Sequence, residues 1–162
     1  MDLMESWKNS TKDDAASNKK FLTKLAKSKD KKLNALADEI HEEVFAEIDC
    51  LDCANCCTSI PPIINETDVK RAAKILGMRP VEFKDQYVRV DEDLDMVMRS
   101  SPCPFLESDN KCFIYEGRPR ACREYPHTDN HEFLKHLRLH KPNAEYCPAV
   151  FHILKRMREI KG

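Results

Sequence analysis

Glycine is nearly missing from this chain: there are three in 162 residues. Neither GxGxxG nor GxxxxGK[ST] occurs, which excludes the usual glycine-rich cradles for nucleotide phosphates. Long apolar runs are missing too. No stretch approaches the roughly 20 residues that a membrane-spanning helix needs. The opening Met1-Asp2-Leu3-Met4-Glu5-Ser6-Trp7-Lys8 holds no apolar core of a secretory signal. Charge of one sign is not in excess, because 27 basic and 28 acidic residues leave a net charge of −1. That balance gives no strong overall attraction to nucleic acid or to a membrane surface. No GxSxG nucleophile elbow is present, so a serine hydrolase has no support. These absences predict a cytoplasmic chain with neither a nucleic acid nor a membrane as partner.

Cysteine is what the chain has in quantity. There are eight, and four fall in one octapeptide, Cys50-Leu51-Asp52-Cys53-Ala54-Asn55-Cys56-Cys57. Packing alone gives no reason to crowd four reactive thiols together. Disulfides, a metal ion or an iron–sulfur cluster would each explain it. In a reducing compartment the cysteines are expected as metal ligands rather than disulfides. Cys50, Cys53 and Cys56 follow C-x2-C-x2-C. In that spacing a tight turn can bring sulfurs to one metal and the intervening amides can donate to them. The adjacent Cys57 breaks the bacterial ferredoxin run, and no second C-x2-C completes a zinc finger. Neighbouring side chains diverge by about 100° on a helix and point oppositely on a strand. Cys56 and Cys57 therefore require either irregular backbone or two different centres; eight thiolates divide into two four-sulfur sites, or one site uses about four and the rest are structural or redox partners. The other four cysteines, Cys103, Cys112, Cys122 and Cys147, fall at predicted element boundaries, where a metal can tie separate pieces together.

The rest of the chain reads as mainly α with a small β-hairpin and irregular metal-binding loops, an α+β cysteine-cluster domain. Residues 1–32 carry nine lysines against five acids and are expected as a charged, partly flexible N-terminal extension, loose or a frayed helical start over 1–14, leading into a helix. Residues 33–162 are expected to form a single metal-binding domain. Leu33, Leu36, Ala37, Ile40, Val44, Phe45 and Ile48 make a helical stripe. Seven acids over residues 38–52 read as a solvated face or as a negative approach to a cation. Ile60-Pro61-Pro62-Ile63-Ile64-Asn65 is extended. Thr67 is the expected N-cap of a helix ending at Gly77, and Pro80 opens the next. Met96-Val97-Met98 reads as a short strand. A hairpin is expected from Phe105-Leu106 and Cys112 to Tyr115 about the polar turn 107–111. Tyr115 and Tyr125 read as core, and Cys147-Pro148 opens the last helix.

With these residues in place the chain resembles the CxxCxxCC family of zinc- or iron-chelating proteins, the YkgJ-like cysteine-cluster proteins. The resemblance rests on Cys50 to Cys57, on Cys103-Pro104-Phe105-Leu106, and on the run from Cys112 through Gly117-Arg118-Pro119-Arg120-Ala121-Cys122 to Pro126. Ile64 to Tyr87 is similar to the family's middle helices and Cys147-Pro148 to its closing cysteine. It implies a metal ion as partner, zinc or iron, the iron as an ion or as a 4Fe–4S cluster, with all eight cysteines as candidate ligands. Arg118 and Arg123 could neutralise thiolate charge, and His127 is the first candidate to replace a sulfur. Three functions remain open. They are a metal-binding module, an iron–sulfur redox or protein-modifying enzyme, and a disulfide-stapled structural protein.

Overall fold

The computed structural model describes residues 2–10 and 12–162. The helices are α1 (Leu3–Lys8), α2 (Lys12–Ala26), α3 (Lys32–Glu47), α4 (Cys50–Cys53), α5 (Asn55–Ser59), α6 (Glu66–Leu76) and α7 (Pro80–Tyr87). Strands β1 (Val88–Val90) and β2 (Met96–Met98) follow, then α8 (Arg120–Glu124), α9 (Leu137–Tyr146) and α10 (Pro148–Lys161). The chain is mostly helical with one antiparallel hairpin, an α+β fold. No helix among the described residues is long and apolar enough to cross a membrane.

The fold divides into two compact units, one of residues 1–49 with 126–162 and one of residues 50–125. The first packs α1, α2, α3, α9 and α10. The expected stripe on α3 is its core face, with Leu33, Ala37, Ile40 and Val44 buried. It meets Val150, Ile153, Leu154 and Met157 of α10, and Phe133, in one apolar cluster. Each such side chain contributes about 2 kcal/mol by leaving water. The N-terminal stretch, read as loose or as a frayed helical start, is helical over Leu3–Lys8. Asp2 caps α1 by accepting the Glu5 N–H at 2.8 Å. Trp7 packs on the core and its indole N–H donates to the Ala144 carbonyl at 3.1 Å.

The second unit carries a smaller core of Ile64, Val69, Ala72, Ala73, Phe83, Val88, Met98, Phe105 and Ile114. Its α6 is capped at Asn65 rather than at Thr67. Asn65 accepts the Asp68 N–H at 2.8 Å and Asp68 returns the bond to the Asn65 N–H at 3.1 Å. Two donors are satisfied at once, which a threonine cap two residues later would not achieve. Gly77 ends α6 in the left-handed region, with φ 66°. The expected strand Met96–Met98 is β2, and it pairs with β1 in the register Val88↔Met98, Arg89↔Val97, Val90↔Met96. The hairpin expected about residues 107–111 is reduced to one antiparallel bridge, Leu106↔Cys112, with the Phe113 N–H donating to the Phe105 carbonyl at 2.8 Å. The chain then tightens into a 3₁₀ turn at Tyr115–Gly117, which ends any ladder.

Candidate metal centre

The octapeptide folds as two short helical turns, α4 and α5. Between them Ala54 takes a left-handed conformation, φ 45° and ψ 15°. A non-glycine residue there is strained by roughly 1–2 kcal/mol. The kink separates Cys50 and Cys53 from Cys56 and Cys57. The last two are consecutive on α5, and the Cys56 side chain hydrogen-bonds to the Cys57 thiol.

Cys57 is anchored to the next cysteine segment by its own carbonyl, which accepts the Cys103 N–H at 2.8 Å. Cys103 opens a tight turn whose Leu106 N–H donates to the Cys103 carbonyl at 3.1 Å. The Cys103 sulfur accepts from the N–H groups of Phe105 and Leu106, and the Cys112 sulfur from that of Ile114. Cys122 sits on α8. Four cysteines distant in sequence, Cys57, Cys103, Cys112 and Cys122, thus come close enough for the charge of each to act on others in the group. Arg118 acts on three of them, Cys57, Cys112 and Cys122. Its guanidinium carbon stands 3.8 Å above the Tyr115 ring, and its buried Nε has no hydrogen-bond partner among the described residues.

Burial, mutual charge and Arg118 govern the thiols of this group. The Cys57 thiol is brought down to about 7, first by a hydrogen bond from the Cys56 side chain and, less strongly, by Arg118. Burial and then the charges of Cys103, Cys57 and Cys112 push Cys122 up to about 12. Burial is also the first cause of the raised values at Cys103 and Cys112. One thiolate is easily held here; four repel one another and need positive charge between them. Backbone N–H groups aimed at sulfur are the usual outer shell of a thiolate centre. The donor chemistry therefore fits a soft metal, although no three Cys, His, Asp or Glu side chains among the described residues are already drawn together as an ion cage.

The remaining sequence candidates are placed as follows. Cys50 is exposed and Cys53 half-buried, both on α4 of the same unit. Cys147 lies in the other unit, at the N-cap of α10 and packed on that unit's core. His127 also lies there, its ring 4.6 Å from that of His136. Three of the acids of 38–52 are engaged within that unit. Asp38 pairs with His131 at 2.9 Å, and Glu43 and Glu47 pair with Arg156 at 3.3 and 2.6 Å. Arg123 is exposed and donates to the Arg118 carbonyl at 3.4 Å rather than to a sulfur. Tyr115, expected in the core, is 55% exposed, because the 3₁₀ turn presents it outward beneath Arg118. Sequence reasoning passed over Asp68, a buried carboxylate beside this segment. Its signal was Asn65-Glu66-Thr67-Asp68, a capping box.

No curated protein and no solved structure matches the chain. Residues 49–148 match the model of the CxxCxxCC family, described as a "putative zinc- or iron-chelating domain". That span is more than half of the sequence and contains all eight cysteines, and the chain belongs to this family.

Proposed function

We propose that the unit of residues 50–125 is a metal-binding module. Cys57, Cys103, Cys112 and Cys122 hold zinc or iron as thiolates, and Cys50, Cys53 and Cys56 supply further sulfur donors beside them. The observation that carries this reading is the convergence of four sequence-distant thiols, three of them within reach of the Arg118 charge, with backbone N–H groups directed at two of the sulfurs. Thiolate sulfur suits both metals. The metal would tie α5, the 103–112 turn and α8 together, and Arg118 would offset part of the net negative charge that four thiolates leave. Thiols kept for metal require reducing surroundings, which fits a cytoplasmic protein.

An iron–sulfur cluster is the second reading: the all-cysteine donor set and the ferredoxin-like C-x2-C-x2-C opening of Cys50, Cys53 and Cys56 suit it.

Elemental analysis and thiol titration of anaerobically purified protein test both readings. Stoichiometric zinc in colourless protein selects the ion. Iron with sulfide and a brown chromophore selects the cluster, and metal-free, fully oxidised protein overturns both. Cys57→Ser is expected to abolish stoichiometric loading, since it removes a thiol brought down to about 7 by the Cys56 side chain and Arg118. Full metal content in that variant would remove Cys57 from the ligand set.

A further inference from the structure

We infer that Asp68 is a positioning residue of the thiol centre, holding Arg118 and Cys122 in place through the segment 118–120. The inference rests on the metal reading above and adds to it a residue that contributes no sulfur.

Asp68 is 2% exposed, and a carboxylate is rarely buried unless fully partnered. Its Oδ2 accepts the Asn65 N–H at 3.1 Å within the capping box. Capping needs nothing more, yet Oδ1 takes two further bonds. One comes from Arg71 Nη2 and the other from the Arg120 N–H at 3.1 Å, 52 residues along the chain. The Arg120 N–H is at the first position of α8, where no helical carbonyl can reach it. Asp68 therefore terminates the helix that carries Cys122.

Arg71 closes the same clamp from the other side, since its Nη2 also donates to the Arg118 carbonyl at 3.0 Å. The preceding residue leaves no slack. A Cβ at Gly117 would stand 2.5 Å from Ile75 Cδ1 and 3.3 Å from the Arg71 carbonyl oxygen. Residues 117–120 are thus pressed against α6 and pinned at both flanking peptides of Pro119. From this fixed segment Arg118 faces Cys57, Cys112 and Cys122. Without the carboxylate, Arg71 loses its counter-charge, the α8 N-terminus loses its acceptor, and Arg118 and Cys122 are no longer held to one geometry.

Cobalt(II), whose thiolate charge-transfer band reports the number of bound sulfurs, is the probe. It is titrated into the full-length protein with wild-type, Asp68→Asn, Arg71→Met, Cys122→Ser and the Asp68→Asn/Cys122→Ser double variant. Asp68→Asn is expected to weaken cobalt binding about tenfold, the usual size of an outer-shell effect. Its band should fall by about a quarter, one thiolate of four. In the Cys122→Ser background the same change should add little, because the ligand it positions is already gone. Wild-type affinity and full band intensity in folded Asp68→Asn would overturn the inference and leave the metal reading intact. So would additive effects in the double variant, which mark a general loss of stability. Should Asp68→Asn fail to fold, Arg71→Met decides, since it releases the Arg118 carbonyl while the capping box remains. Absence of cobalt binding by the wild-type protein would instead sink the metal reading itself.

Discussion

His140 shows how burial sets a charge state in this protein. Its side chain is wholly enclosed, stacked on Phe133 with ring centroids 4.3 Å apart. Nε2 lies 2.8 Å from the Phe133 carbonyl, so that nitrogen carries the proton and donates it. Burial, with smaller contributions from the charges of His136 and His127, brings the imidazole down to about 4 against an ordinary 6.5. The folded value lies below the unfolded one, so the unfolded chain binds more protons between them. Stability is complete above pH 6.5, falls as the pH drops toward 4, and levels off below it. The slope is at most about 1.4 kcal/mol per pH unit, so His140 alone should remove roughly 2 kcal/mol between pH 7 and 5. His152 is shifted in the same direction, chiefly by burial. Trp7 sits in this unit's core and is the chain's single tryptophan. Urea unfolding followed by its fluorescence measures the effect. His140→Gln should flatten the dependence, and an unchanged slope would show that His140 is not its source.

At the scale of elements, α6 has its start and end written in chemistry that can be removed. Asn65→Ala deletes one half of the capping box and should cost about 1 kcal/mol in the unit of residues 50–125. Gly77→Ala puts a Cβ on a residue at φ 66° with open space around it. Strain alone then sets its cost, again about 1 kcal/mol. Amide exchange at Val69 and Ala72 would register both, and equal protection in either variant would deny that the caps hold the helix. Helix patterns of this kind were legible in the sequence. The stripe from Leu33 to Val44 and the Gly77 stop both follow from local periodicity and backbone preference. The hairpin about residues 107–111 is shorter than the strand-like Phe105 and Cys112 to Ile114 suggest, a single bridge between Leu106 and Cys112. Their apolar character serves the core and the sulfur turns instead. The cysteines were legible as a group, but their convergence was not. It depends on the Cys57 carbonyl meeting the Cys103 N–H and on Asp68 meeting Arg120, contacts 46 and 52 residues apart. No local pattern encodes such contacts.

The whole molecule sets a continuous segment, residues 50–125, between the two halves of a discontinuous unit built from both ends of the chain. The two are stabilised differently. Among the described residues, the apolar cluster of the terminal unit holds sixteen buried side chains, Phe21, Phe133 and Phe151 among them. That of the inserted unit holds nine, two of them alanine, with Cys103 and Cys112 packed at the edge. A small core of this kind gains most from a cross-link that binds only the folded form, since metal binding free energy becomes folding free energy. Removing the metal should therefore act unevenly along the sequence. After treatment with a strong chelator under reducing conditions, hydrogen exchange is expected to rise by at least about tenfold at Val69, Phe83 and Met98, which corresponds to a loss of at least about 1.4 kcal/mol of local stability. Ile40 and Ile153, in a core made wholly of that unit's own segments, should keep their protection, and Trp7 emission should not shift. Equal loss of protection in both units would mean that the terminal unit has no independent stability. No loss in either would mean that the thiol centre contributes nothing to the fold, and the tie between α5, the 103–112 turn and α8 would have to be abandoned.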